Sequence, residues 1–183
     1  MCSSDLDLRA MATIDVLEFP PFPTVPPPAA GLTRLEGESL KVVASEKADP
    51  GEMSMAQWGA EHWSEGRQAM VHATEGGWVE WEFSTAVEGE TGFVLHATRA
   101  KNFGRIRVSL DGGDFDPVID LCAFGVVPSG PRFLGQRALR AGSHRLRISL
   151  VGRNPEADAM DFGFDALDLI PLRSRAQENP FPK

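Results

Sequence analysis

The side chains of this sequence best suited to binding a ligand are its four tryptophans, Trp58, Trp63, Trp78 and Trp81. An indole ring offers an apolar face to the C–H face of a pyranose, and its N–H can donate a hydrogen bond. Trp58 and Trp63 lie in an irregular stretch, residues 46–65, which is longer than an ordinary connection and therefore the first place to expect function. We predict that both contact carbohydrate; the alternative is that they cap one end of the fold as satellite core.

No catalytic pattern accompanies these aromatic residues. The four histidines show no metal-ligand spacing, and no serine lies in a Gly-x-Ser-x-Gly elbow. The acidic run in residues 111–116 lacks the spacing and the terminal glutamate of an EF-hand loop. The 26 acidic residues offer many carboxylate pairs, but nothing in the sequence places two of them across a glycosidic bond. The sequence therefore predicts a protein without catalytic activity of its own.

The elements that must position the tryptophans are β-strands. In residues 104–113, Ile106, Val108 and Leu110 alternate with polar side chains and lead into Asp111-Gly112, a two-residue hairpin signal. Short strand candidates with turn residues between them recur along the chain, as in a sandwich or barrel. We predict strands near residues 32–36, 38–44, 67–73, 78–83, 92–99, 104–110, 116–121, 132–139, 144–151 and 163–170.

The alternation also assigns side chains to the two faces of the predicted sheet. Trp81 shares a face with Phe83 and is expected in the core, whereas Trp78 points the other way. Four arginines would form a basic stripe on the outer face if their strands are neighbours, and these are Arg105, Arg107, Arg145 and Arg147. A guanidinium can grip uronate or sulfate at two points. The alternative is cross-strand pairing with acids such as Glu80 and Glu82.

Composition limits the partners. At 183 residues the chain is long enough for one domain with a sizeable core, and its net charge of −8 argues against a nucleic-acid partner. No run of apolar residues approaches the length of a transmembrane helix, so no membrane partner is expected. The two cysteines, Cys2 and Cys122, are expected to be free thiols.

The chain divides into three parts. Residues 1–31 are expected to form a disordered start and a stiff linker, since six prolines fall within residues 19–28. A linker implies an upstream domain, and residues 2–6 resemble the translation of a sequencing-adapter end, so we expect a fragment of a longer protein. An ordinary disordered terminus and an arm that packs back on its own domain are the alternatives. Residues 32–172 are expected to form the sandwich, and residues 173–183 a polar tail.

Several segments together resemble a recurring bacterial module of polysaccharide-active proteins. They are residues 76–83 (Gly76-Gly77-Trp78-Val79-Glu80-Trp81-Glu82-Phe83), 104–113, 126–131, 139–146, 151–155 and 163–167 (Gly163-Phe164-Asp165-Ala166-Leu167). The likeness spans about residues 32–172. It is to the galactose-binding-like sandwiches related to carbohydrate-binding module families 6 and 35, and in particular to the C-terminal sandwich of family 172 glycoside hydrolases. The resemblance implies an all-β, antiparallel jelly-roll β-sandwich.

The same resemblance implies a structural calcium ion. The sequence Leu35-Glu36-Gly37-Glu38 is similar to the Glu-x-Glu first strand of those modules, and Asp165 matches an aspartate of their last strand. In such modules these carboxylates hold calcium, a hard cation that takes about six to eight oxygen ligands. The expected metal ligands are therefore Glu36, Glu38 and Asp165. The alternative is that both glutamates are solvated and Asp165 caps a turn.

These expectations describe an accessory module. We predict that it binds carbohydrate, with Trp58, Trp63 and Asn154 as contacts at the loop end of the sandwich, within a larger glycan-active protein. The alternative is a structural module that docks on a catalytic domain of the same family 172-like chain, without sugar binding of its own. An extracellular or periplasmic location is expected if the parent protein is secreted.

Overall fold

The computed structural model of the protein describes residues 31–172, which are built mainly from β-strands. The strands are β1 Thr33–Glu36, β2 Lys41–Ser54, β3 Arg67–Thr85, β4 Gly89–Arg99, β5 Arg105–Leu110, β6 Gly113–Asp114, β7 Ile119–Asp120, β8 Val127–Pro128, β9 Arg132–Leu139, β10 Gly142–Gly152 and β11 Phe162–Pro171. Four short 3₁₀ turns complete the regular structure of this part of the chain, at Gly37–Ser39, Ala56–Trp58, Ala60–His62 and Ser64–Gly66. The predicted start and linker, residues 1–31, lie outside the described residues except for Gly31, and so does the predicted tail in residues 173–183.

The strands form one curled antiparallel sheet that folds over on itself. Its order is β6-β5-β10-β3-β11-β4-β8, with β7 beside β5, β9 beside β4, β1 beside β11 and β2 beside β3. The first part of β3 pairs with β11, whereas its second part pairs with β10. The long β2–β3 hairpin therefore belongs to both layers, and the expected antiparallel β-sandwich is confirmed.

The hairpin turns from one layer into the other at a corner around Lys47 and Gly77. The pairing register of β2 and β3 shifts between Glu46 and Ala48. A Cβ atom on Gly77 would lie 2.6 Å from the carbonyl oxygen of Lys47, so only glycine permits this close approach. The predicted strands at residues 67–73 and 78–83 are consequently two halves of one bent strand.

Alternating side chains from the two layers meet in an aromatic core. The ring of Trp81 lies 5.4 Å from that of Phe164 and 6.4 Å from that of Phe162, in edge-to-face contacts. Phe93 and Phe115 pack at 5.3 Å farther along the core. The expectation that Trp81 is a core residue is confirmed.

The outer face of β3, β10 and β5 carries the predicted arginines, and they pair with acids. Arg145 contacts Glu82 at 2.9 Å, and Arg147 contacts Glu80 at 3.0 Å while its guanidinium stacks 3.9 Å from the Trp78 ring. The two arginines of β5 also have carboxylate partners, Asp120 for Arg105 and Asp114 for Arg107. The pairing alternative therefore accounts for this stripe.

No helix among residues 31–172 combines the length and apolar character needed to cross a membrane.

Candidate functional site

The irregular segment that carries two of the tryptophans is shorter than predicted and folds back onto the sheet. Strand β2 continues to Ser54, so the irregular part is residues 55–66. Trp63 is only 3% exposed, and its indole N–H donates a 2.7 Å hydrogen bond to Thr98 Oγ1. The hydroxyl of Thr98 in turn donates to the buried Gln68 side chain. The expected sugar-binding role of Trp63 is therefore corrected to a packing role, because neither its face nor its N–H is free for a ligand.

Trp58 keeps part of its surface exposed in the turn Ala56–Trp58. It does not line the loop-end pocket described below. Its role as a sugar contact stays a prediction.

One loop residue, Ser64, joins two of the three acids predicted as metal ligands, and the third, Glu38, interacts with both through its charge. Asp165 lies on β11 at a register shift opposite β4, and it accepts a 2.9 Å hydrogen bond from the backbone N–H of Ser64. The Ser64 hydroxyl donates to Glu36 Oε1 at 2.8 Å. Only glycine fits at position 37, between Glu36 and Glu38, because a Cβ atom there would lie 2.4 Å from the carbonyl oxygen of Phe164. We call Glu36, Glu38 and Asp165 the acidic cluster.

The acidic cluster holds more negative charge than its surroundings balance. Burial, together with the charges of Glu36 and Glu38, raises the pKa of Asp165 to about 8 despite the Ser64 hydrogen bond. Burial also raises the pKa of both glutamates. Oxygen Oε2 of each glutamate is buried without a hydrogen-bond partner among the described residues. These orphaned oxygens fit a hard cation, although no three His, Cys, Asp or Glu side chains of residues 31–172 stand in a ready metal-binding geometry.

A second buried carboxylate on β11 has the opposite environment. Asp168 accepts hydrogen bonds from Arg34 Nε at 2.7 Å and Arg34 Nη2 at 2.8 Å, and its Oδ2 lies 2.8 Å from His96 Nε2. Burial alone would raise the pKa of Asp168, but these partners outweigh it and lower the pKa to about 2. The network ties β1, β11 and β4 together.

Three loops meet at the end of the sandwich where β4 and β10 finish. They are residues 100–104, 121–126 and 153–161. Backbone hydrogen bonds join them: Ala100 N to Leu121 O at 3.0 Å, Leu121 N to Gly104 O at 3.1 Å, and Asp158 N to Lys101 O at 2.9 Å. The loops therefore form one fixed frame.

A pocket of about 250 Å³ opens between these loops. It is lined by Arg99, Lys101, Cys122, Ala123, Phe124, Asn154 and Glu156, and we call it the loop-end pocket. Cys122 follows β7 and is a half-buried free thiol at this wall.

Asp120 orients two sides of the loop-end pocket. Its Oδ2 accepts hydrogen bonds from Asn154 Nδ2 at 2.8 Å and from Arg105 Nε at 3.1 Å, and its Oδ1 accepts from the Cys122 backbone N–H at 3.0 Å. Burial would raise the pKa of Asp120, but these hydrogen bonds lower it. Asn154 also accepts from the Glu156 backbone N–H at 3.0 Å, so its amide is held in place. The structure thus places Asn154 in the pocket, and its contact with sugar stays a prediction.

The pocket contains an aromatic ring that sequence reasoning missed. Phe124 is 89% exposed, and Lys101 Nζ lies 5.5 Å from its ring centroid. An apolar side chain in a segment without alternation, between two predicted strands, was the available signal. That signal indicates a pocket residue only once the fold shows that two other loops meet the loop that carries Phe124.

Comparison with solved structures identifies the fold. The chain superposes on a xanthan lyase from Paenibacillus with a TM-score of 0.68 and 17% identity, over 84% of this chain and 14% of the lyase chain. A family 35 carbohydrate binding module from Clostridium thermocellum matches with a TM-score of 0.50 and 14% identity, over 78% of this chain and 100% of the module. The CBM36-1 domain of a multidomain xylanase, from the hindgut metagenome of Trinervitermes trinervoides, matches with a TM-score of 0.51 and 13% identity. The match covers 78% of this chain and 99% of that domain.

These likenesses confirm the all-β, antiparallel jelly-roll β-sandwich, of the kind found in carbohydrate-binding modules. The chain spans 14% of the length of the xanthan lyase but is matched along nearly all of each binding module. No family model and no curated protein matches the sequence.

Proposed function

We propose that the protein is a non-catalytic carbohydrate-binding module of a larger glycan-active protein, and that it holds a sugar in the loop-end pocket. The observation that carries this proposal is the ring of Phe124, exposed at 89% beside polar side chains that are already held in place. The fold shared with family 35 and family 36 modules supports it.

The geometry suits a short polar ligand with one apolar face. A sugar ring can lie against Phe124, because the C–H face of a pyranose is apolar. Asn154, fixed by Asp120 and by the Glu156 backbone, presents its amide without first having to be ordered. The Glu156 carboxylate supplies an acceptor for sugar hydroxyls. The volume of about 250 Å³ lies just below the range of roughly 300–1,000 Å³ typical of small-molecule sites.

Glycan-affinity electrophoresis with two matched phenylalanine variants tests the proposal. Phe124→Ala should abolish the retardation of the protein by its glycan, because it removes the stacking surface. Phe133→Ala removes a ring that is 62% exposed on β9, outside the pocket, and should leave retardation unchanged. If the wild type binds no plant, algal or bacterial glycan, or if both variants bind like the wild type, the proposed sugar site is wrong.

We further propose that the acidic cluster holds a structural calcium ion. Glu36, Glu38 and Asp165 would supply carboxylate oxygens, and two of these are buried without partners. Burial and the charges of Glu36 and Glu38 keep the pKa of Asp165 high, and a divalent cation would favour its ionised form. Its effect would be to fasten the turn after β1 and the loop at Ser64 to β11.

A docking role on a catalytic domain, of the family 172-like kind, is the second candidate. An exposed apolar patch favours it: Phe133 and Leu172 both lie within 4 Å of a Cβ built on Gly92, at 3.5 and 3.7 Å. Apolar side chains that meet on a surface are typical of contact sites. Under this candidate Phe133→Asp should weaken association with the parent chain's catalytic domain, and the wild type should bind no glycan.

A further inference from the structure

The loop-end pocket is positively charged in a protein that is otherwise acidic. The chain has 26 acidic and 18 basic residues, yet the pocket is lined by two cations, Arg99 and Lys101, and one anion, Glu156. A concave surface with one dominant sign of charge attracts ligands of the opposite sign. The charge of this pocket therefore differs from that of the whole molecule.

No carboxylate among residues 31–172 forms a salt bridge with Arg99. Its Nη2 donates a 2.8 Å hydrogen bond to the carbonyl oxygen of Cys122, which is neutral, and its Nε is buried without a partner among the described residues. The outer-face arginines differ, since Arg145 and Arg147 each contact a glutamate. A guanidinium kept at a pocket wall without a carboxylate leaves its charge available to a bound anion.

Lys101 places a second positive charge beside the aromatic ring. Its Nζ lies 5.5 Å from the centroid of Phe124, and no carboxylate of the described residues forms a salt bridge with it. A sugar lying against Phe124 would thus have a cation at the edge of its ring. Exocyclic groups of a pyranose project from that edge.

We propose that the loop-end pocket selects sugars bearing an anionic group, a carboxylate or a sulfate, through Arg99 and Lys101. This inference rests on the proposed function, because it names the ligand class of the same pocket. Phe124 supplies the surface for the ring, and the two cations discriminate acidic sugars from neutral ones.

Paired sugars that differ only at C6 test the selection. Nitrogen-15 NMR titration at low salt would compare glucuronate with glucose, galacturonate with galactose, mannuronate with mannose, and each neutral sugar with its 6-sulfate. At least one anionic sugar should bind about tenfold more tightly than its neutral partner and shift the amides of residues 122–125. Preference for the uronates identifies a carboxylate ligand, preference for the 6-sulfates a sulfate ligand, and either supports the inference.

Three substitutions assign the selectivity to the pocket cations. Lys101→Met and Arg99→Met should each remove most of the tenfold preference while binding of the neutral sugar is retained. Arg99→Lys, which keeps the charge if the Arg99 hydrogen bond proves necessary for folding, should retain part of it. Arg145→Met, on the outer face, should change nothing.

Equal binding of acidic and neutral sugars in the pocket would overturn this inference and leave the proposed function standing. Unchanged selectivity in both methionine variants would overturn it as well. If no sugar binds at all, both the inference and the proposed sugar site fail.

Discussion

Asp165 and Asp168 lie three residues apart on β11, at 3% and 4% exposure, and yet their environments have opposite effects on ionisation. Arg34 and His96 surround Asp168 and lower its pKa to about 2. Asp165 faces Glu36 and Glu38, and its pKa rises to about 8. Burial is the largest cause of the raised pKa at Asp165, and the charges of Glu36 and Glu38 add to it, whereas at Asp168 the hydrogen bonds from Arg34 and His96 outweigh burial. Asp168 is paired with cationic partners, whereas Asp165 is buried beside two further carboxylates.

The largest expected effect comes from removing Asp168, the carboxylate that Arg34 and His96 balance. Asp168→Ala leaves the Arg34 guanidinium buried without its carboxylate and should lower the free energy of unfolding by about 3–5 kcal/mol. Asp165→Asn, measured without divalent cations, should cost less than about 1 kcal/mol or stabilise, because asparagine is neutral, as the Asp165 carboxyl mostly is below its raised pKa of about 8. Urea denaturation of both variants makes the measurement. Equal losses would show that the two sites do not differ as described.

Added calcium should balance the charge of Asp165, as Arg34 and His96 balance that of Asp168. At about 100 times its dissociation constant, calcium should stabilise the wild type by about 2.7 kcal/mol, a rise in melting temperature of about 5–10 °C over protein in chelator. Asp165→Asn should abolish that rise, since it removes a charged ligand.

Thermal melts in calcium and in chelator make this measurement. Asp114→Asn, on the distant β5–β6 hairpin, should keep the rise. A wild type that melts at one temperature in both buffers contradicts the calcium proposal.

The two carboxylates should change the stability of the protein with pH in opposite directions. The pKa of Asp168 is lowered, so its contribution to folding stability is present above its unfolded pKa of about 3.9. This contribution is lost as pH falls toward 2. The pKa of Asp165 is raised, so its contribution to folding stability is fully present below about pH 3.9 and is lost as pH rises through 8. In chelator, Asp165→Asn should therefore remove a fall in stability above pH 5 of up to about 1 kcal/mol per pH unit.

Unfolding free energies from pH 3 to 8 check this prediction. A wild type and an Asp165→Asn variant with parallel profiles above pH 5 would contradict it.

The smallest expected effect concerns Ser64, the loop residue that joins Glu36 to Asp165. Ser64→Ala removes the hydroxyl that donates to Glu36 but keeps the backbone N–H that donates to Asp165. The loss should be about 1 kcal/mol in chelator. Ser45→Ala, at an exposed position of β2, is the control and should be neutral. A Ser64→Ala loss as large as that of Asp168→Ala would mean that the hydroxyl, rather than the backbone, organises the cluster.

The strands were predictable where one face is buried and the other solvated. Alternation identified β5, β9 and β10 to within two residues, because side chains of a half-buried strand repeat every two positions. It did not reveal the corner at Lys47 and Gly77, since a bend across layers depends on a close backbone approach rather than on local hydrophobicity. The two halves of β3 therefore looked like separate strands.

The candidate sites differed in how much the sequence could reveal. The resemblance to known modules named Glu36, Glu38 and Asp165; in the structure Ser64 joins Glu36 to Asp165, and the charge of Glu38 acts on Asp165. Trp63 looked available because residues 55–66 show no period, and only the fold shows that its indole is covered. Arg99 and Lys101 lie at the end of β4 and in the loop after it, whereas Phe124 lies in another loop, so no local pattern linked the ring to the two cations.

The frame beneath the loop-end pocket is held by backbone hydrogen bonds between its loops, together with the Asp120 network. Lys101, Phe124 and Glu156 contribute side chains to the pocket, while the backbone of these loops carries the frame. Substituting them changes the chemistry of the pocket with little demand on folding. The module is therefore a suitable scaffold for laboratory evolution, in which a library at three positions should yield new ligand specificities on an unchanged sandwich.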